Sequence, residues 1–184
     1  MTTRSPLSTR VLLICAAIAV GTGILSAVAG YLTIPVVAGA PIFYGFVLSM
    51  HLLPGIVAQE MLRTPWVALI THLLAALVAL AMSPQWFLSY VAAIAVMGGV
   101  QEGWAATGRY RKWSTGWMVL GGAVLGLILG LTAGLGIGIK NFGLPLAIAS
   151  IGIYVLGAAA WTYVSVLIGR SMRKAGLART ADPS

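Results

Sequence analysis

Acid is what this chain has least of. Of 184 residues only Glu60, Glu102 and Asp182 are acidic, against eleven Lys and Arg. Charged residues make up 8% of the chain, where a soluble domain carries about 25%. An ordinary solvated surface is therefore excluded. Cysteine is nearly missing too. Cys15 stands alone, so no disulfide forms within the chain and the redox compartment is left open. The two histidines, His51 and His72, show no HxxxH spacing and have no cysteine near them, so no metal site is expected. A phosphate loop is also absent. The stretch Gly134 to Lys140 has the glycines, but it lacks the G-x4-G-K-[ST] spacing and follows no strand. No nucleotide site and no cofactor are expected. Only two acids lie in or near an apolar run, which argues against a membrane-integral enzyme or assembly factor.

Apolar residues fill the space that charge leaves. They make up 60% of the chain, and the mean hydropathy is +1.00. A spanning helix needs about 20 predominantly apolar residues. Six runs qualify: 11–32, 41–62, 65–83, 86–108, 116–139 and 145–169. The first is too long for a signal peptide and shows no convincing cleavage site, so it reads as a retained helix. The expected organisation is a cytoplasmic segment 1–10, a membrane domain 11–169 and a basic, polar cytoplasmic tail 170–184.

The basic residues sort themselves by gap. Arg4 and Arg10 precede the first run, and Arg63 follows the second. Arg109, Arg111 and Lys112 follow the fourth, and Arg170, Arg173, Lys174 and Arg179 follow the sixth. Only Lys140 sits in a gap of opposite parity. Cytoplasmic loops hold the Lys/Arg excess, so both termini are expected inside. The net charge of +8 is spread over helix ends in no contiguous stripe. It points to anionic lipid headgroups and not to nucleic acid. The fold class expected is an all-α, six-helix, multi-pass protein of a prokaryotic cell membrane.

Breakers mark the gaps. Pro35 to Pro41 reads as an outward turn, and Thr64-Pro65 and Ser83-Pro84 read as caps with N1 prolines. Two sets of small residues suggest close helix packing. Gly122, Gly126, Gly130, Gly134 and Gly138 recur every four residues in the fifth run. They suit packing inside one bundle, or a homodimer seam. In the first run Ala19, Gly23 and Ala27 form one stripe, and Ala17 and Gly21 another. No internal repeat is evident, so an inverted-repeat transporter gains no support.

Polar groups inside a bilayer are costly and are functional candidates by default. His51, His72, Gln101 and Glu102 qualify. Glu60 lies within a turn of Arg63 and reads as a structural, interfacial acid. Glu102 is the one acid well inside a run, about 10 Å from the level of Arg109. It needs a cation, a donor or a ligand. Trp86 and Phe142 read as interfacial anchors. Tyr44, Tyr90 and Tyr154 are placed to wall an outward pocket. Aromatic walls with one acid suit a flat, weakly cationic heterocycle.

Several short motifs then align in order. They are Pro41-Ile-Phe-Tyr44-Gly45, Arg63-Thr-Pro65, Ala68-Leu, Ala75-Ala-Leu-Val, Gly98 with Glu102, and Ala-Thr-Gly-Arg109. In these the chain resembles the substrate-binding S components of energy-coupling-factor (ECF) vitamin transporters, of the YkoE type assigned to thiamine or its hydroxymethylpyrimidine precursor. The chain departs from the pattern at His72, where the family has a glutamate, and at Gly98-Gly99-Val100-Gln101 before Glu102.

The resemblance implies a vitamin captured from outside, with Glu102 at the ligand. On that reading His72 and Gln101 complete the polar contacts, Tyr44, Tyr90 and Tyr154 are the walls, and His51 lies nearby. The resemblance also implies that Ala19, Gly23 and Ala27 dock on a transmembrane coupling protein driven by two ATPases. The chain itself would then be no enzyme. The alternative is a stand-alone proton-coupled small-molecule transporter using Glu102, His51 and His72 as a relay.

Overall fold

The computed structural model describes residues 7–176, apart from the side chains of Leu135, Lys140 and Phe142. Arg4, Arg179 and Asp182, and the outer parts of the 1–10 and 170–184 segments, lie outside the described residues. Six helical rods follow one another: α1 (Thr9–Gly39), α2 (Pro41–Leu62), α3 (Val67–Met82), α4 (84–107), α5 (Thr115–Gly136) and α6 (Leu144–Lys174). Among the described residues there is no strand. Four of the rods, α1, α2, α5 and α6, are long and apolar enough to cross a membrane, and α3 is a shorter apolar helix of 16 residues. Large apolar side chains such as Leu88, Leu144 and Leu156 point outward, as lipid-facing residues do.

α1 begins at Ser8, whose hydroxyl accepts from the Val11 amide at 3.3 Å. It runs past the expected end at residue 32 and straight through Pro35, so the expected Pro35–Pro41 turn shrinks to the single residue Ala40. Proline removes one helix donor, but lipid penalises an open turn more, and membrane helices tolerate proline. α2 and α4 are each broken once. In α2 a tight 3-10 turn, Ser49–Leu52, precedes Pro54. In α4 a wide π turn occupies Ile94–Gly98. Such turns redirect side chains and favour functional sites.

The glycine stripe is explained by the α5–α6 pair. A Cβ at Gly126 would stand 2.6 Å from the Tyr154 carbonyl oxygen and 2.7 Å from the Ala158 methyl. Gly122 lies under Thr162, Gly130 beside Tyr154 and Gly134 beside Ile139 and Tyr154. Gly138 falls beyond the helix in a left-handed turn, φ 79°. The stripe is internal packing.

Ala19, Gly23 and Ala27 are turned inward as well. Ala19 and Ala27 are buried, and a Cβ on Gly23 would meet the Ala75 carbonyl and Val78 of α3 at 2.7 Å. The face expected to meet a coupling protein is thus covered by α3. Of the two small-residue stripes of α1, the one that stays open is Ala17 and Gly21.

Two features organise the basic end of the bundle. Glu60 is fully buried and accepts from Arg63 at 2.9 Å and from Arg170 at 3.2 Å. Arg170 also donates to the Trp113 carbonyl, so α2, α6 and the α4–α5 link are held together. The expected structural role of Glu60 therefore extends to a second arginine. The α2–α3 link turns on Arg63 and Trp66, both at positive φ. Thr64 does not cap α3, because its hydroxyl donates back to the Leu62 carbonyl and the helix starts only at Val67.

Candidate functional site

A cavity of about 330 Å³ lies between α1, α2, α4 and α5. Gly30 and Thr33 line it from the last third of α1, and Tyr44, Leu48 and His51 from the first half of α2. Trp86, Ser89 and Tyr90 come from the first half of α4 and Met97 from just past its middle, and Leu129, Thr132 and Ala133 from the end of α5. All four contributions come from the end of the bundle where the α1–α2, α3–α4 and α5–α6 links lie. Arg63, Arg109, Arg111, Lys112 and Arg170 stand at the other end.

The breaks in α2 and α4 aim the walls. His51 sits in the tight turn and Met97 in the wide one, and both face the cavity. Gly30 makes room beside them, since a Cβ there would press on Trp86 and Tyr90 at 3.1–3.2 Å. The indole Nε1 of Trp86 is buried without a hydrogen-bond partner. Such a donor is costly to leave unpaired, and it is packed against α1 beside Gly30. The Tyr90 hydroxyl is held by Ser83 at 2.8 Å, and its ring lies 6.1 Å from that of His51.

Of the residues expected to form the site, the cavity collects Tyr44, His51 and Tyr90. Tyr154 stands behind it. Its ring packs edge-on against Tyr44 at 6.1 Å and is fully buried. His72 and Gln101 lie deeper, between α2, α3 and α4, in one hydrogen-bonded group. His72 Nε2 is 3.0 Å from Gln101 Oε1, and Gln101 Nε2 donates to the Leu52 carbonyl at 3.1 Å. Gln59 donates to the Gln101 carbonyl at 3.0 Å. Gly55 is what lets Gln101 and His72 approach α2, because any Cβ there would overlap both.

Glu102 stands furthest from the cavity. Its carboxylate accepts from the amides of Trp66 and Ala68 at 2.5 and 3.2 Å. Those are orphan donors at the start of α3, so Glu102 is the cap that α3 lacks in its own sequence. Burial, and after it the Glu102 carboxylate, push the phenol of Tyr110 in the neighbouring link up to about 12.

Trp86 is the cavity residue that sequence reasoning set aside as an anchor. A signal was present, since Trp86 and Tyr90 are four apart and share a helix face. Thr33, Ser89 and Thr132 carry no such signal, because a lone hydroxyl in an apolar run usually bonds its own helix, as Thr33 and Thr132 do.

The fold is thus a helical bundle, four of its helices long and apolar enough to cross a membrane, with a closed polar group and an aromatic cavity. The chain matches over residues 10–128 the family described as ABC-type cobalt transport system, permease component, and it belongs to that family. No curated protein matches it. A solved structure described as the crystal structure of an S-component of ECF transporter is similar in fold, with a TM-score of 0.77 at 18% identity. The match covers 95% of this chain and 87% of that one.

Proposed function

We propose that the chain is the membrane-embedded substrate-binding subunit of an ECF-type importer. Its cargo is a small, flat nitrogen heterocycle, and of the thiamine pair it is the hydroxymethylpyrimidine precursor. The observation that carries this reading is the aromatic cavity of about 330 Å³, within the usual range of about 300–1,000 Å³ for small-molecule sites. Tyr44, Trp86 and Tyr90 offer ring faces for stacking.

Among the described residues no carboxylate lines the cavity. A cationic thiazolium would find ring faces but no counter-charge, which favours the neutral pyrimidine. The same reasoning bears on cobalt, the second reading, which the family's description favours. A cobalt ion takes imidazole, carboxylate and water ligands. Among the described residues no three His, Cys, Asp or Glu converge. In this reading ATP hydrolysis belongs to two partner ATPases coupled through a transmembrane protein, which meets α1 on its open Ala17–Gly21 side.

Thermal unfolding of the purified protein tests the cargo. A ligand that binds only the folded state adds about 2.7 kcal/mol at a hundredfold excess over its dissociation constant. Hydroxymethylpyrimidine is expected to raise the melting temperature most, thiamine less and Co²⁺ not at all. Stabilisation by Co²⁺ alone would replace this reading with the metal one.

The same proposal orients the bundle with six crossings, cytoplasmic termini and the cavity end outside. Single cysteines placed by Arg111→Cys and Asn141→Cys in a Cys15→Ala background report on it. In intact cells an impermeant maleimide should label position 141 and spare position 111. The reverse pattern would put the cavity on the wrong side for uptake.

A further inference from the structure

Beside the main cavity lies a second one of about 10 Å³. His51, Tyr90 and Ala93 line both, so they form the partition between them. His72 of α3 and Ser26 of α1 line the small cavity only. Its volume is about that of one water molecule.

The hydrogen bonds of the two histidines fix what they present to that space. His51 Nδ1 is 3.2 Å from the Leu48 carbonyl. A carbonyl can only accept, so Nδ1 holds the proton, and Nε2 of the neutral ring is an acceptor. His72 Nε2 is 3.0 Å from Gln101 Oε1. The Gln101 amide nitrogen donates to the Leu52 carbonyl, which settles which end of the amide is oxygen. His72 therefore carries its proton on Nε2, and its Nδ1 is an acceptor. The Cδ2–Nε2 edge of His72 faces Gly55 and Gly98, so the Nδ1 edge is turned away from them, to the side of the small cavity. Among the described residues, neither His51 Nε2 nor His72 Nδ1 has a hydrogen-bond partner.

Two acceptors across a one-water space demand a group that donates two hydrogens. Water does so, and so does a primary amino group on a flat ring. A carbonyl oxygen would face two lone pairs, and a methyl group would leave both unmet. We infer that His51 and His72 form an amino-selective subsite at the inner end of the cargo cavity, with Gln101 as the positioning residue that fixes the His72 tautomer. This rests on the reading of the main cavity as the cargo site. In the cargo-free protein a water bridges the rings. In the loaded protein the exocyclic amino group of an aminopyrimidine takes its place.

Two measurements test this separately. The chain has only two histidines, so nitrogen NMR of histidine-labelled protein in nanodiscs resolves every ring nitrogen. The expected result, without cargo, is the Nδ1–H tautomer at His51 and the Nε2–H tautomer at His72. The opposite tautomer at either ring overturns the subsite. The second measurement compares hydroxymethylaminopyrimidine with the analogue in which a carbonyl replaces the amino group. The parent protein should prefer the amino compound by about tenfold or more, the effect of one unmet buried hydrogen bond. In His72→Phe the preference should fall below about threefold, with the affinity for the oxo compound retained. Equal weakening of both compounds would show a merely structural role and overturn the proposal. If His72→Phe does not purify as a monodisperse protein, His51→Phe carries the same comparison. If neither pyrimidine binds the parent protein, the cargo reading fails, and the tautomers alone decide whether the two-acceptor site exists.

Discussion

Gly126→Leu will keep α5 and α6 from closing on each other, and the protein will not be recovered as a monodisperse species. The reason is backbone, not side chain. The first added carbon already stands 2.6 Å from the Tyr154 carbonyl oxygen and 2.9 Å from the Val155 Cα. No rotamer change in α6 relieves that contact, so the helix itself must move. In lipid there is little hydrophobic drive to hold helices together, and close packing is most of what does. Even Gly126→Ala should cost at least the ~1–3 kcal/mol typical of overpacking.

A graded series makes the argument checkable. At Gly130 the nearest atom to an added Cβ is the Tyr154 Cβ at 3.3 Å, so Gly130→Ala should be milder. At Gly21 nothing lies within 4 Å, so Gly21→Ala should leave thermal stability unchanged or slightly raised. Equal losses at all three positions would mean that glycine content, not contact, sets stability. Normal folding of Gly126→Leu would mean that the α5–α6 contact is looser than drawn.

The ends of the helices were legible in the sequence where lipid and charge set them. Arg63, the Arg109–Lys112 group and Arg170 mark one end of the bundle, and that signal survives any change in packing. Pro35 misled because a proline followed by a turn is the rule in water. In lipid the helix continues. Thr64-Pro65 misled for a different reason. The cap of α3 comes from Glu102, thirty-six residues away from Trp66, and local motifs hold no trace of a partner on another helix. Spacing also revealed that Ala19, Gly23 and Ala27 allow close approach, but not whether the approaching helix is α3 or a partner protein. Part of the cavity was visible, as Tyr44, His51 and Tyr90. Trp86 was legible by its spacing from Tyr90 but was read as an anchor, whereas Met97 reaches the cavity from the π turn in α4, which no composition records.

Glu102→Gln tests what the scarcity of acid alone could not decide. A lone carboxylate inside an apolar run must be satisfied, but a ligand and a helix terminus satisfy it equally well. The geometry favours the terminus, since both carboxylate oxygens accept backbone amides of α3. Gln offers one acceptor and one donor where two acceptors are needed. Its amino end would face the amide of Trp66 or Ala68, leaving that donor unmet. The expected cost is about 1–3 kcal/mol of stability, seen as a lower midpoint in thermal or denaturant unfolding of the purified protein. Cargo affinity should stay within about threefold of the parent, because Glu102 is not among the residues lining either cavity. Trp86→Phe should show the opposite pattern. The smaller ring gives up stacking area at the cavity wall and relieves a buried, unpaired N–H, so affinity falls by about tenfold while stability holds. If Glu102→Gln instead melts like the parent and binds cargo tenfold more weakly, the acid serves the ligand, and the cap at α3 is incidental.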